Sequence, residues 1–559
     1  MESRPWQRHY DYDVPLSIRY PRIPVQNMLR LAAFSYPDKP ALNFYGTETT
    51  FMQLHDQILR MANALGRLGV KKGDRVGIQL PTCPQYVLAY HASLYMGAIA
   101  VNLNPMYTPD ELRPILENTG ISTLFTFDMV LPNIRTVCRA LELPPRVIVT
   151  RITDFIQGFG MSTPEELGLE EGWHHFSFLL EGCTDRRVPN VTIVPEDPAL
   201  IQFTGGTTGI PKGAVLTHAN LVAATLQITL WGKSTTGLTP AENRSVMAVL
   251  PYFHVYGTVV VMHWALFNCA TQILVPRFEI EEFLDRLAAF DHITFLPAVP
   301  TLINAVINHP RAQQLALDRK LGLLNSGAAP MPVELIDQIL EMGINYSEGW
   351  GMSETTSLGI SNPSLGFKKK GSIGIPWPDT DVKLVDLEEG KEEVARGEPG
   401  EIMIRSPLVM RGYWNNPRET SGQMRDGWLY TGDIAVRDED DYFAIVDRKK
   451  DMIIAGGYNI YPREIDEVLY RHPKILNACT IGVSDPYRGE TVKAFIVPRE
   501  GEDLTEQEVL DFCKEKLAPY KRPKIIEFRK HLPTSMVGKI LRKQLRKEEE
   551  ARMSPSPPR

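Results

Sequence analysis

The chain reads as an α/β protein. It has a large N-terminal domain of doubly wound α/β subdomains with a small β-barrel or antiparallel subdomain, then a small α+β C-terminal domain. Three observations predict this. As far as residue 370, short apolar runs alternate with longer helix-period segments, the pattern of strands joined by crossover helices. From about 371 to 447 the runs shorten into β segments separated by Gly, Pro and Asp turns. After the charged joint DRKKD at 447–451 the pattern resets into a compact unit with its own amphipathic helices.

Taken in order, RVGIQL, IAVNL, STLFTF, RVIVT and ALIQF predict strands, with QYVLAYHASLYMGA as a helix between the first two. DVKLVD, GEIMIR and YFAIVD predict the β-rich subdomain. In the last unit PREIDEVLYRH sets Ile465, Val468 and Leu469 on one helical face. ILNACTIGV and VKAFIVP read as strands, and TEQEVLDFCKEKL as a second amphipathic helix. The polar, Pro-rich RKEEEARMSPSPPR is expected to fray.

Composition agrees with a folded, multi-domain chain. The 559 residues exceed what one core serves, and 43% hydrophobic with 23% charged residues is ordinary globular usage. A net charge of -7 gives no basic footprint, so nucleic acid is not an expected partner. The six cysteines, Cys83, Cys138, Cys183, Cys269, Cys479 and Cys513, show no CxxC pair and read as small apolar residues in a reducing compartment. The start, MESRPWQRHYDYDVPL, has no apolar leader, which makes the cytoplasm the expected location. The apolar stretches 86–103 and 246–275 are interrupted by His91, Asn102, His254, His263 and Asn268. No transmembrane helix is expected, while peripheral contact with the inner membrane face and a homodimer stay open.

The densest local signal is FTGGTTGIPKG at 203–213. It follows the predicted strand ALIQF and precedes another apolar run, whereas a Walker A loop ends GK[ST] and leads straight into a helix. Successive glycines let backbone N–H groups converge on an anion, and Thr204, Thr207 and Thr208 add hydroxyl donors, which suits a triphosphate. On its own the loop is equally compatible with a flexible hairpin tip.

Six more motifs accompany it in order: PYFHVYG (251–257), NSGAAP (325–330), EGWGMSET (348–355), YTGD (430–433), VDRKKDMIIAGGYNIYPREID (446–466) and TSMVGKI (534–540). Together they resemble the AMP-forming acyl-CoA synthetases of the adenylate-forming superfamily, over nearly the whole chain. The resemblance implies that ATP, with Mg2+, and a carboxylic acid form an acyl adenylate and pyrophosphate, after which CoA displaces AMP. It implies an N-terminal domain over 1–447, a hinge at 448–450 centred on Lys450, a mobile C-terminal domain over 451–546, and a flexible tail over 547–559.

Site residues follow from the same likeness. Thr204, Gly205, Gly206, Thr207, Thr208, Gly209 and Lys212 would cradle the phosphates. Gly327, Ala328, Ala329, Glu348, Gly349, Trp350, Gly351, Met352 and Ser353 would form the adenine and α-phosphate pocket, with Trp350 stacking on the base. Asp433 and Arg448 would hold the ribose, and Glu354 with Thr207 would hold the metal. Lys539 would be the catalytic lysine of adenylation, bridging carboxylate and α-phosphate, with Glu354 and His254 as its catalytic companions. His254, Val255, Tyr256 and Gly257 would meet the acyl group, and the apolar stretch Val259 to Met262 could line an acyl tunnel. Gly456 and Gly457 would let the backbone approach the pantetheine arm of CoA.

Some positions depart from the family pattern. Gly205 stands where many members carry Ser, Phe203 and Trp350 replace Tyr, and Ser353 replaces Thr. The leading expectation is a medium- or long-chain fatty acid–CoA ligase. Alternatives are an aryl or other acid–CoA ligase, a stand-alone acyl-AMP ligase loading a carrier protein, and a noncatalytic acyl-nucleotide binding protein.

Overall fold

A computed structural model describes residues 4–204, 211–455, 458–485, 487–535 and 540–553. Two large sheets dominate. The first runs Gly412–Tyr413, Lys212–Thr217, Pro198–Thr204, Ile99–Asn102, Arg75–Ile78, Thr123–Phe127, Arg146–Thr150 and His174–His175 in spatial order. From Pro198–Thr204 to His174–His175 its neighbours are all parallel, whereas Lys212–Thr217 is antiparallel to both its neighbours. The second has nine strands, with a parallel centre from Pro40–Phe44 through Thr271–Leu274, Ser245–Ala248, Ile293–Ala298 and Leu321–Ser326 to Tyr346–Trp350. Every strand expected from the first 370 residues is present, because strands buried on both faces write themselves as continuous apolar runs.

The helices between strands carry local start signals. Thr50 and Gln53 form a reciprocal capping box that opens Phe51–Arg67, and Thr217 with Asn220 does the same for His218–Trp231. Tyr256–His263 is instead a π-helix, fully buried. Gly257 admits no side chain there, since a Cβ would fall 2.1 Å from the Pro251 carbonyl oxygen.

The β-rich stretch contains Asp381–Val385, Gly400–Arg405, Trp428–Arg437 and Met424–Arg425, with Phe443–Arg448 also paired to Trp428–Arg437. These described strands pair antiparallel throughout, as expected of a small β-rich subdomain.

The last sheet has a separate core of Ile453, Ile460, Ile465, Leu469, Val492, Val509 and their neighbours. Its strands include Ile475–Asp485 and Gly489–Pro498, packed by helices Pro462–Tyr470 and Glu506–Lys516 as expected. The tail needs correction. Helix Arg542–Met553 continues through residues 547–553, and its acidic run finds cations on the adjoining strands: Lys493 to Glu549 at 2.7 Å and Arg529 to Glu548 at 2.6 Å. Composition marked these charges as solvated, yet Lys493 is buried between Glu549 and Glu527. From the same helix, Arg546 donates to the Lys450 and Asp451 carbonyls at 3.0 and 3.1 Å and pairs with the Asp451 carboxylate at 3.2 Å.

Four of the six cysteines are buried and two are half-buried, and none is in a disulfide. Among the described residues no helix is long and apolar enough to cross a membrane.

Candidate active site

In open parallel sheets, ligands gather at the carboxyl ends of the strands. Four of the predicted motifs begin there: 205–213 after Pro198–Thr204, PYFHVYG after Ser245–Ala248, GAAP after Leu321–Ser326, and GMSET after Tyr346–Trp350. The phosphate-loop residues Gly205, Gly206, Thr207, Thr208 and Gly209 lie outside the described residues, as do Gly456, Gly457 and Lys539. The ends of the glycine loop are described: Thr204 pairs with Lys212 across the antiparallel ladder, which closes the loop at its base.

Two predicted residues, Trp350 and Arg448, converge on the carboxylate of a third, Asp433. The Trp350 indole N–H donates to Asp433 Oδ2 at 2.8 Å, and Arg448 Nε approaches Asp433 Oδ1 at 2.9 Å. Asp433 and Arg448 are cross-strand partners, so the β-rich sheet presents them as a pair. Both Trp350 and Asp433 are buried. A carboxylate offers about four lone-pair sites, so this one is oriented by two donors and retains acceptor capacity.

Glu354 is buried at the start of a short 3₁₀ turn, Ser353–Thr355, and accepts from the Tyr413 hydroxyl at 2.7 Å. Burial pushes its carboxyl above the ordinary range, while the Tyr413 hydrogen bond and the nearby Arg448 charge pull it back. The Tyr413 ring also sits under Lys212, whose Nζ is 5.5 Å from the ring centroid and paired with Glu419. Tyr413 and Glu419 went unseen in the sequence. Tyr413 reaches the site because its two-residue edge strand pairs with Lys212–Thr217, and a lone GYW carries no motif that would announce this.

Among the described residues no cluster of three Asp, Glu, His or Cys side chains could hold a metal. A single buried carboxylate nevertheless fits Mg2+, which takes one or two carboxylates and completes its shell with phosphate oxygens and water. Glu354, the residue expected from the sequence to hold the metal, is one of three buried carboxyl groups here, with Glu348 and Asp433.

Around the expected base pocket, Gly327 is buried with the Tyr256 ring 3.0 Å from where a Cβ would lie, and Ala328 adopts φ +67°. Gly351 is obligatory, because a Cβ would fall 1.5 Å from the Ser357 carbonyl oxygen. Gly349 and Ser353 are buried; Met352 and Ala329 are half-buried. His254 accepts from the Tyr256 backbone N–H at Nδ1 (3.2 Å).

Glu348 is buried with one Oε facing the Met331 N–H at 3.4 Å. Desolvation raises its pKa to about 7, with the Arg463 charge opposing the rise. The folded protein therefore keeps a proton that the unfolded chain releases near 4.5, so this contribution to stability is full below that value and is lost as pH rises through about 7. In Glu348→Gln the pH-dependent loss should vanish. The gap in denaturant midpoint between variant and wild type should widen in favour of the variant from pH 5 to pH 8, and parallel profiles would refute the assignment.

A narrow cavity of about 30 Å³ opens beside this cluster, lined by Ile228, Trp231, Trp264, Phe295, Leu323, Leu358 and Trp377 together with Asn325 and Ser347. Asn325 joins it to the site: its Oδ1 accepts from the Tyr256 hydroxyl at 2.8 Å, two residues before Gly327. His254, Val255, Tyr256, Gly257 and the run Val259 to Met262 do not line this cavity; the π-helix that carries most of them is packed into the core.

Comparison with known proteins yields two family matches: the AMP-binding enzyme model over residues 29–414 and the AMP-binding enzyme C-terminal domain over 464–539. The chain is 38% identical to a long-chain-fatty-acid–CoA ligase of Bacillus subtilis over 98% of both chains. Among solved structures it is similar to the anthranilate CoA ligase AuaEII in complex with anthranoyl-AMP, with TM-score 0.84, 28% identity and coverage of 97% of this chain and 99% of that one. It is also similar to ATP-bound MatB from Rhodopseudomonas palustris, with TM-score 0.82, 27% identity and coverage of 94% and 99%.

Proposed function

The chain belongs to the AMP-binding enzyme family, and from that premise we propose that the acid it activates is a medium- or long-chain fatty acid. It is an AMP-forming acid–CoA ligase. A carboxylate oxygen attacks the α-phosphorus of ATP, the bond to the β-phosphate oxygen breaks, and pyrophosphate leaves. The sulfur of CoA then attacks the acyl carbonyl, the C–O bond to AMP breaks, and AMP departs as the thiol proton is released.

The residues divide this work. Trp350 faces the base, while Asp433, held by Trp350 and Arg448, accepts from the ribose hydroxyls. Glu354 would hold Mg2+, which when bound offsets the charge of the phosphates. Thr204 and Lys212 anchor the ends of the phosphate loop, and Lys539 brings the cation for adenylation from the C-terminal unit. His254 touches the acid without serving as its base, since a carboxylate is already ionised near neutral pH. Turning about Lys450 exchanges Lys539 for the 456–457 glycines between the two half-reactions. Long-chain acids partition into lipid, so peripheral membrane contact belongs to the same proposal.

The observation that carries the fatty-acid reading is the cavity. Its walls combine three tryptophans, a phenylalanine and three aliphatic side chains with neutral threonine, serine and Asn325 side chains, and no charged group lines it. A wall of rings and aliphatic groups with no charged partner favours an acid whose tail is apolar over one with a second ionised group. CoA-dependent AMP release should be fastest, per unit of kcat/KM, with octanoate or hexadecanoate. Preference for benzoate or cinnamate would replace this reading with an aryl acid.

A further inference from the structure

The N-terminal segment braces three walls of the apolar cavity from behind without lining it. Tyr10 meets Trp231 edge to face, with ring centroids 5.1 Å apart and planes at 87°. Its hydroxyl donates to the Pro376 carbonyl at 2.7 Å, one residue before the wall residue Trp377. Asp11, itself buried, accepts from the N–H and hydroxyl of the wall residue Ser364 at 3.1 and 3.0 Å, and from Gly366 N–H at 2.6 Å. Asp13 accepts from Ser234, which precedes the wall residues Thr235 and Thr236.

The cavity, at about 30 Å³, has room for little more than a water molecule. An acyl chain therefore enters only where a wall gives way. Interiors pack as densely as organic crystals, so a buried ring yields only as far as the group behind it allows. Trp231 is tied in plane by its indole N–H to the Asn362 carbonyl at 3.0 Å, and the Tyr10 ring packs against it at 87°.

We propose that Tyr10 is a positioning residue that limits how far Trp231 recedes and thereby sets the acid length the enzyme prefers. The inference rests on the reading of the cavity as the acyl site.

The test uses the full chain, with kcat and KM measured for octanoate and hexadecanoate at saturating ATP and CoA. In Tyr10→Ala the ratio of kcat/KM for hexadecanoate over octanoate should rise about 10-fold, within the range that small changes of apolar pocket volume produce. The change should fall on the KM of the acid and leave that of ATP unmoved. Tyr10→Phe keeps the ring and loses only the bond to Pro376, so it should shift the ratio less and in the same direction; being conservative, it also serves if the alanine variant fails to fold. Leu323→Ala enlarges the wall directly and reports on the cavity. If Leu323→Ala shifts the ratio while both Tyr10 variants leave it unchanged, or lower both acids equally, the proposal is overturned. If no variant shifts it, the cavity reading falls and this proposal with it.

Discussion

Replacing Lys539 by alanine is expected to lower acid-dependent ATP–pyrophosphate exchange by about 10²–10³-fold, the cost of removing one preorganised charge aimed at a transition state. Preformed acyl adenylate given to the same variant should still react with CoA at close to the wild-type rate. The asymmetry follows from where charge develops. In the first half-reaction two anionic groups are forced together, and an ammonium between them stabilises the arrangement; in the second, a neutral carbonyl is attacked. The geometry on the large domain sharpens the expectation. Lys212 stands at the base of the phosphate loop but is engaged by Glu419 and lies over the Tyr413 ring. Its charge is offset before substrate arrives, so Lys212→Ala should cost far less than Lys539→Ala. Equal loss in both half-reactions of Lys539→Ala would remove the lysine from this role.

The second large effect is expected at Asp433. Asp433→Asn preserves shape but places an NH2 group where an oxygen now accepts from Trp350 or Arg448. One buried donor is then left facing another donor, and the ribose loses a charged acceptor. Hydrogen bonds to a charged group are worth about 1.5–3 kcal/mol each, so the KM for ATP should rise about 10²-fold with a smaller change in kcat. Trp350→Phe separates the two duties of the tryptophan: it keeps a flat ring for the base and deletes the N–H. It should reproduce part of the Asp433→Asn effect, and an unchanged KM for ATP in both variants would place the ribose elsewhere.

What could be read from residues alone depended on distance along the chain. The strands PALIQFT and RVGI announced themselves because burial on both faces requires consecutive apolar residues. Glu354, Asp433 and Trp350 were legible: Glu354 and Trp350 stand in a short motif at a strand end, and Asp433 stands in one inside the strand Trp428–Arg437. The bond from Trp350 to Asp433 was not, since it joins positions 83 apart through two different sheets. Tyr413 likewise owes its place to a two-residue edge strand. Gly257 and Val259 to Met262 are apolar as a wall would be, but a buried π-helix is apolar all round, and sequence does not tell core from lining. The tail misled through charge, because an acidic run looks solvated until Lys493 and Arg529 are brought beside it.

The grip of Arg546 on the carbonyls of Lys450 and Asp451 has a mechanical consequence. The helix that begins three residues after Lys539 is bolted to the proposed pivot itself. A rotation of the backbone at Lys450 would therefore carry that helix with it, as a crank carries its arm.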